Sequence, residues 1–454
     1  MSVPLTSKKI NIYNYPTTIK LKMKPKFIFI ETYGCTANKN NSEIMLSLLL
    51  QAGLEKTSNP EIADILILNT CIVKGKTENK IRGRIKELKK LNKPIIITGC
   101  MPDVYKESLV EKNIFLLSTH HTKNILKLVK KICENNPKDS LEKEFLEKQN
   151  EIKLGCKIRE NKVIGITQIC EGCTGNCSYC QTKIAKGNIF SYPEEQIINN
   201  IKKDIESECR EVFITSQDNS AYGLDNGKHQ LPGLIKKILS LNGNFKIRIG
   251  MMNVNTLMPI LNEMIELYKN EKLFKFLHLP LQSGSDKILK DMNRKYKVKD
   301  FLKILKEFKK EIPGIVIETD VIAGYPTEKE EDFQKTIEIL NITIPDFFNI
   351  SKFWSRKFTK AASLKPLPIA TTTSRAKKLM ELCKKNAKEN NQKQIGKTKK
   401  IIIDKKLFDN IYSGRDESFR LVIIKSDKNI LYKIIKARIT KAEMLHLLGE
   451  LEDK

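Results

Sequence analysis

Three runs of apolar residues, each leading to a cysteine, constrain the fold of this chain more than any other feature. They are Lys26–Ile30 before Cys35, Ile65–Leu68 before Cys71, and Ile95–Ile97 before Cys100. Continuous apolar runs are typical of parallel strands that are buried on both faces. The runs lie about 30 residues apart with helix-like segments between them, which is the spacing of βαβ units. The N-terminal part of the chain is therefore predicted to be an open parallel α/β sheet.

The same pattern predicts a metal site. Right-handed crossovers bring the carboxyl ends of parallel strands to one edge of the sheet, where open α/β folds bind ligands. Cys35, Cys71 and Cys100 are therefore expected to converge at that edge. Three thiolates at one point suit an iron–sulfur cube with one open iron. The alternative for each cysteine alone is a small buried hydrophobic residue.

A second group of cysteines follows the strand-like segment Val163–Ile169. Cys173, Cys177 and Cys180 have the spacing C-x3-C-x2-C. Thiolates this close together suit a cluster, because neighbouring irons of a cube can each take one sulfur. With Cys170 as a fourth ligand the stretch would also suit structural zinc, although such sites usually join two knuckles across a longer loop.

The remaining pattern predicts an α/β protein with further domains. Alternating strands and helices predict a partial parallel barrel of about six βα units, whose site lies at the carboxyl ends of its strands. Short strands with turns at Ser413-Gly414 and at residues 427–429 predict a small antiparallel β-barrel after it. The predicted segments are a disordered basic extension (1–24), the α/β domain (25–135), a linker (136–162), the partial barrel (163–392) and the small barrel (393–454).

The charge of the chain favours a polyanionic partner. The net charge is +28, and residues 356–400 hold fourteen Lys and Arg against two Asp and Glu. A basic helix is predicted over Thr373–Gln392; a compositional bias and a solvated helix face are the alternatives. No apolar run approaches the ~20 residues that span a bilayer, and the start does not read as a secretory signal. We expect a cytoplasmic protein with its cysteines on metal or buried rather than in disulfides.

Several phrases resemble the radical S-adenosylmethionine (SAM) methylthiotransferases, most closely the archaeal and eukaryotic MtaB type that modifies tRNA. Besides the three-cysteine loop, the matching phrases are Tyr33–Thr36, Asn69–Lys74, Thr215–Asp218, Ala221–Gly223, Arg248–Met251, Leu277–Ser285 and Thr319–Pro326. Val73-Lys74 after Cys71 favours the MtaB type over relatives that act on isopentenyl-adenosine or a ribosomal protein. The last sixty residues look like a TRAM domain, an OB-like RNA-binding barrel. Arg356-Lys357-Phe358-Thr359 departs from the Arg-Pro-Gly-Thr that the family tends to have.

The resemblance implies an enzyme with two [4Fe–4S] clusters and SAM. The Cys35/Cys71/Cys100 cluster would carry an additional sulfur that SAM methylates, and the Cys173/Cys177/Cys180 cluster would cleave a second SAM. The resulting radical would abstract the hydrogen from carbon 2 of threonylcarbamoyladenosine. The methylthio group would then be delivered to that carbon. The implied partners are the tRNA anticodon stem-loop, a low-potential electron donor and a sulfur donor. We expect a monomer with no membrane contact.

The resemblance also points to SAM contacts at the barrel strand ends. Ser216, Gln217 and Asp218 are predicted near the methionine amino group, Arg248 near its carboxylate, and Gln282 and Ser283 near the ribose or substrate. The alternative for each is a hydrogen bond that closes a turn. Cys170 is interpreted as a bystander, because SAM would occupy the fourth iron, and Cys133, Cys156, Cys209 and Cys383 as packing residues. His278 receives no role.

Three other functions fit parts of the pattern. One is methylthiolation of a different target, either isopentenyl-adenosine in tRNA or a ribosomal protein. Another is a non-catalytic RNA-binding protein that holds structural zinc. The third is an electron carrier, which would not cleave SAM.

Overall fold

The structure is a computed structural model that describes residues 25–134, 144–155 and 157–452. The predictions for residues 1–24, for Cys156 and for part of the linker lie outside these ranges. The predicted domain boundaries stay predictions. Within the described residues, no helix has both the length and the apolar character needed to cross a membrane.

The N-terminal part forms a five-stranded parallel sheet. Its strands are β1 (Phe27–Thr32), β2 (Glu55–Lys56), β3 (Ile65–Thr70), β4 (Ile95–Gly99) and β5 (Ile114–Ser118), in the order β2-β1-β3-β4-β5. All six residues of β3 are buried, because helices cover both faces of the sheet. Thr36–Gln51 and Ile125–Cys133 pack on one face, and Gly75–Lys89 and Pro102–Tyr105 on the other.

Residues after the N-terminal sheet form a parallel partial barrel, as predicted. Its strands are β6 (Ile164–Gln168), β9 (Glu211–Thr215), β10 (Lys246–Ile249), β11 (Phe276–His278), β12 (Val316–Ala323) and β13 (Phe347–Lys352). They form two three-stranded sheets, which a bridge between Ile247 and Leu273 connects. A two-stranded hairpin of β7 (Cys170–Glu171) and β8 (Phe190–Ser191) follows β6. The outer helices are Glu194–Glu206, Leu231–Leu239, Leu261–Tyr268, Val298–Glu311 and Glu330–Thr343.

Shorter helices lie between the two hairpin strands and after β10 and β11, and a long helix follows the barrel. The shorter ones are Thr182–Lys186, Val254–Leu257 and Asp286–Asp291. The long helix runs from Ile369 to Gln392 and contains the segment predicted to be a basic helix.

A closed five-stranded barrel ends the chain. Its strands are β14 (Thr398–Phe408), β15 (Ile411–Arg415), β16 (Leu421–Lys425), β17 (Ile434–Ala442) and β18 (Leu447–Leu451), in the order β14-β15-β16-β18-β17. Two details of the prediction are wrong. Ser413-Gly414 lies inside β15 rather than in a turn, and β16 pairs with β18 in parallel, so the barrel is not purely antiparallel.

The C-terminal barrel docks on the starts of the partial-barrel strands. The Lys275 amide before β11 donates to Glu417 O (2.9 Å), Ser418 Oγ donates to Gly314 O before β12 (3.1 Å), and Arg420 Nη2 donates to Asp346 before β13 (2.6 Å). The Phe419 ring between them contacts the rings of Phe213, Phe274 and Phe276. The small barrel therefore closes the amino-terminal end of the partial barrel and leaves the opposite end to the cysteines.

Candidate two-cluster site

Cys35, Cys71 and Cys100 follow three adjacent strands. β1, β3 and β4 are neighbours in the sheet, with Thr32 paired to Asn69 and Thr70 to Gly99. Each cysteine therefore leaves the sheet at the same edge, as predicted. Gly99 has a φ of +86°, and a Cβ there would lie 2.3 Å from Thr70 O. Only glycine allows the chain to turn this tightly into Cys100.

The three thiols lie near enough to act on one another electrostatically. Burial raises the pKa of Cys100, and the charges of Cys71 and Cys35 raise it further. Burial likewise raises the pKa of Cys71. Burial therefore disfavours the thiolate form of both residues, and a bound metal favours it, because it deprotonates coordinating thiols. The group is therefore suited to a positively charged iron centre.

Cys173, Cys177 and Cys180 lie in the loop after β7, and each sulfur accepts one hydrogen bond from nitrogen. Gly175 N donates to Cys173 (3.2 Å), Arg294 Nη1 to Cys177 (3.2 Å) and Thr182 N to Cys180 (3.4 Å). Burial, together with the charges of Asp218, Cys180 and Cys177, raises the pKa of Cys173 to about 11. Hydrogen bonds to the sulfurs are one of the ways in which proteins tune iron–sulfur clusters.

The loop is held in place by its base. Gly172 has a φ of +82°, and a Cβ there would lie 1.9 Å from Asn188 O. The Gly172 amide donates to Gln217 Oε1 (2.8 Å), and Cys173 N donates to Gly187 O (3.2 Å). These contacts fix the position of Cys173, the first cysteine of the loop.

A short helix connects the two groups of cysteines. Thr182–Lys186 begins two residues after Cys180 and is about 7.5 Å long. Lys186 lies close enough to Cys100 and Cys35 for its charge to act on both. His120 Nε2 is 2.9 Å from Ala185 O, which holds this helix against the N-terminal sheet. The two groups therefore lie on either side of one short helix.

Three buried charges fix this junction. Glu171 binds Lys186 through Oε1 (2.7 Å) and Lys153 through Oε2, and Lys153 Nζ lies 3.3 Å from Thr119 Oγ1. All three charged residues are at most 3% exposed. Burial opposes the charge of Glu171, but the two lysines outweigh it and lower its pKa to about 2. Lys153, which was predicted to lie in a linker, is instead part of this core.

A cavity of about 350 Å³ opens beside the second group of cysteines. It is lined by residues that include Cys173, Gly175, Cys177, Asn253 and Arg294. Arg294 Nη2 donates to Asn253 Oδ1 (2.6 Å), while its buried Nε has no hydrogen-bond partner among the described residues. A volume of this size is ordinary for a small-molecule site. The guanidinium is positioned to pair with a carboxylate in the cavity.

The predicted SAM contacts after β9 support the loop. Ser216 Oγ lies beside the Cys170 thiol, and Gln217 holds Gly172. The Asp218 carboxylate, which is 1% exposed, accepts hydrogen bonds from Ser220, Asn253 and Thr256. These contacts match the turn-closing alternative. The role of the three residues in SAM binding stays a prediction.

Arg248, Gln282 and Ser283 also stay predictions. The Arg248 guanidinium carbon lies 5.0 Å from the centre of the Phe276 ring and 5.3 Å from that of Phe419, inside the barrel near its amino-terminal end. Gln282 has a φ of +66°, and its amide donates to Asp320 O (2.8 Å). Ser283 is fully buried, and its Oγ accepts from Ser285 N (3.2 Å).

Sequence reasoning missed three residues at the site: Arg294, Asn253 and Lys186. Arg294 stands between Asn293 and Lys295 after a short helix, and its only signal is a basic residue following a barrel strand. Lys186 stands in the cluster loop region, and nothing in the sequence distinguishes it from the neighbouring Lys183. His278 turns out to face the barrel interior, where Nε2 lies 2.8 Å from Asp320 Oδ2.

The other described cysteines lie in or against apolar cores. Cys170 and Cys209 are buried in the core of the partial barrel, and Cys383 and Cys133 pack against apolar cores. Across the described residues, no group of three or more His, Cys, Asp and Glu is arranged to hold a single metal ion. The donor chemistry fits iron–sulfur cubes better, because two separate groups of three thiols each leave one iron open.

Two families match the chain. The Uncharacterized protein family UPF0004 matches residues 27–117, and the Radical SAM superfamily matches residues 167–340. The radical SAM methyltransferase TsrM from Kitasatospora setae shares the fold, with a TM-score of 0.56 over 75% of this chain and 77% of that chain, at 12% identity. Membership of the superfamily implies an iron–sulfur cluster and SAM.

Relatives match over nearly the whole chain. A probable threonylcarbamoyladenosine tRNA methylthiotransferase from Archaeoglobus fulgidus is 36% identical over 93% of this chain and 98% of its own length. The corresponding protein of Methanocaldococcus jannaschii is 37% identical over 93% and 96%. A threonylcarbamoyladenosine tRNA methylthiotransferase of Homo sapiens is 30% identical over 93% and 73%. This chain belongs to the family of radical SAM threonylcarbamoyladenosine tRNA methylthiotransferases.

Proposed function

We propose that this enzyme inserts a methylthio group at carbon 2 of threonylcarbamoyladenosine beside the anticodon of tRNA, with SAM and two [4Fe–4S] clusters. The observation that carries the proposal is the pair of three-cysteine groups on either side of the helix Thr182–Lys186. A single group would suffice to cleave SAM. A second group of three thiols provides a separate place for the sulfur that is transferred.

When bound, the clusters and SAM would supply the radical and the methylthio group; the protein orients them and excludes water. We assign Cys35, Cys71 and Cys100 to the cluster that carries the sulfur, and Cys173, Cys177 and Cys180 to the cluster that binds SAM. Arg294 would pair with the methionine carboxylate, because it lines the cavity and also contacts Cys177. The helix Thr182–Lys186 begins beside Cys180 and brings Lys186 close enough to Cys35 and Cys100 for its charge to act on them, which supports a shared site.

The substrate base must leave its stack to enter such a site. Single-stranded anticodon loops allow this, because their bases are unpaired. The net charge of +28 is consistent with an RNA partner. We further propose that the C-terminal barrel binds RNA as a TRAM domain, and that a low-potential electron donor and a sulfur donor complete the reaction.

Anaerobic reconstitution of single-cysteine variants tests this function. The wild type should hold roughly eight irons and should form the methylthio nucleoside on threonylcarbamoyladenosine tRNA, as measured by mass spectrometry of digested nucleosides. Cys100→Ala and Cys180→Ala should each lose about half of the iron and all of the product, and only Cys180→Ala should abolish SAM cleavage. Cys383→Ala, which removes a packing thiol, is the matched control and should keep its iron.

Two outcomes would contradict the proposal. Full iron content in Cys100→Ala would exclude a cluster on Cys35, Cys71 and Cys100. Methylthiolation of a peptide instead of the nucleoside would show that the substrate is a protein and not tRNA.

A further inference from the structure

Three apolar side chains lie exposed at the seam between the N-terminal sheet and the partial barrel. Val73, Trp354 and Phe358 are 58%, 54% and 67% exposed; we call them the seam surface. Trp354, the only tryptophan of the chain, packs against Gly75, where a Cβ would lie 3.0 Å from the indole. Arg356 Nη2 donates to Val73 O (3.0 Å), so the surface is fixed from both sides of the seam.

Phe358 is held in an unfavourable backbone conformation. Its φ is +65°, a left-handed value that costs free energy in any residue with a Cβ. The loop is nevertheless fixed, because Gln181 Nε2 donates to Lys357 O (2.9 Å) and Ala361 N donates to Ser178 O (2.8 Å). Glycine would adopt this φ without the cost that a Cβ imposes. An aromatic ring that is 67% exposed is thus held in place at a backbone cost.

The charges around the seam surface are positive. Lys74, Lys76, Lys357 and Lys360 are exposed, and none of them forms a salt bridge within the part of the chain that the structure describes. Glu78 is the one acid in these two segments, and it is buried and paired with Arg356 (2.6 Å) and Arg82 (3.0 Å). No carboxylate of these segments therefore competes with phosphate for the lysines.

The seam surface adjoins both groups of cysteines. Val73 lies two residues after Cys71, and Gln181, which holds the Phe358 loop, directly follows Cys180. Lys74 lies close enough to Asp320 inside the barrel for its charge to act on that carboxylate. A ligand on this surface would therefore lie next to the mouth of the barrel.

We propose that Trp354 and Phe358 stack on an unpaired base of the RNA loop next to the target nucleotide, while the surrounding lysines contact its phosphates. Exposed aromatic rings beside lysines are how proteins hold single-stranded nucleic acid. The proposal rests on the proposed function for the identity of the RNA. Beyond that function, it assigns the seam surface as the place where the RNA loop is held open.

Intrinsic fluorescence of the reconstituted enzyme tests the proposal directly, because Trp354 is the only indole. A stem-loop RNA with a single-stranded anticodon-type loop should quench it saturably, and a blunt duplex of equal length should not. Phe358→Gly should weaken binding of the stem-loop roughly tenfold without lowering the unfolding midpoint, since glycine relieves the φ of +65°.

Two variants serve as matched controls. Asn92→Gly relieves the same kind of backbone strain (φ +54°), and Ile62→Ala removes an apolar side chain that is 55% exposed; both residues precede strands β4 and β3, at the edge of the N-terminal sheet opposite the cysteines. Neither should change the affinity for the stem-loop. Equal affinity of Phe358→Gly and wild type, or equal quenching by loop and duplex, would overturn the stacking surface. Loop-specific quenching by an enzyme that forms no methylthio nucleoside would overturn the proposed function and leave the surface in place.

Discussion

Replacing Glu171 by glutamine tests the three-charge junction beside the connecting helix. The change leaves Lys153 and Lys186 facing each other, each at most 2% exposed, with Thr119 Oγ1 as a remaining acceptor. Breaking one buried ion pair costs about 3–5 kcal/mol, and here two lysines lose the same partner. We therefore expect the free energy of unfolding to fall by an amount at the upper end of that range.

Urea unfolding of the anaerobically reconstituted enzyme, followed by circular dichroism, measures this loss. Glu144→Gln is the control: Glu144 pairs with Lys127 and Lys131 at the surface, where such pairs are worth about 0–1 kcal/mol. Lys153→Met should cost much less than Glu171→Gln, since Glu171 keeps Lys186. Adding Lys153→Met to Glu171→Gln should restore part of the loss. Equal losses in Glu171→Gln and Glu144→Gln would refute the reasoning.

The pH dependence has a definite sign. The folded pKa of Glu171 is about 2, below the ordinary value of 4.5. Its stabilisation is therefore fully present above pH 4.5 and is lost as the pH falls towards 2. The difference in unfolding free energy between the wild type and Glu171→Gln should shrink over that window.

Three further changes have expected outcomes. Arg294→Lys should raise the KM for SAM at least tenfold with iron content retained, because lysine cannot contact both Cys177 and a carboxylate in the same way. Phe419→Ala should weaken the docking of the C-terminal barrel by about 3–5 kcal/mol, seen as faster proteolysis between the barrels. Charge reversal on the long helix should weaken tRNA binding and flatten its salt dependence without bleaching the clusters; the residues are Lys384, Lys385 and Lys388.

The cysteine positions were predictable because they depend on local pattern. Predicting that these cysteines converge needs only the rule that parallel strands end at one edge of the sheet. The structure places Cys35, Cys71 and Cys100 at that edge. The C-terminal barrel was less predictable. Gly414 looked like a turn residue, but it lies in β15 where a Cβ would come 2.1 Å from Ile402 O. That need for glycine arises from the close approach of the paired strand β14, which the local turn-like sequence does not show.

The charged partners at the site could not be read from the sequence. Lys153 stands in a polar, irregular stretch, and its partner Glu171 belongs to the hairpin after β6. The role of Arg294 depends on its hydrogen bond to Cys177, which lies more than a hundred residues earlier. Pairing across such distances depends on packing, and no local pattern records it.

The contact between Arg356 and Glu78 joins the start of the chain to the end of the partial barrel. Arg356 emerges from the ribosome long after the whole N-terminal sheet has been synthesised. Glu78 therefore lacks its partner Arg356 during that interval. A cluster delivered early to Cys35, Cys71 and Cys100 would stand open to solvent and oxygen during that interval. On the proposed function, the order of synthesis therefore favours loading this cluster late, once the last barrel strand has been made.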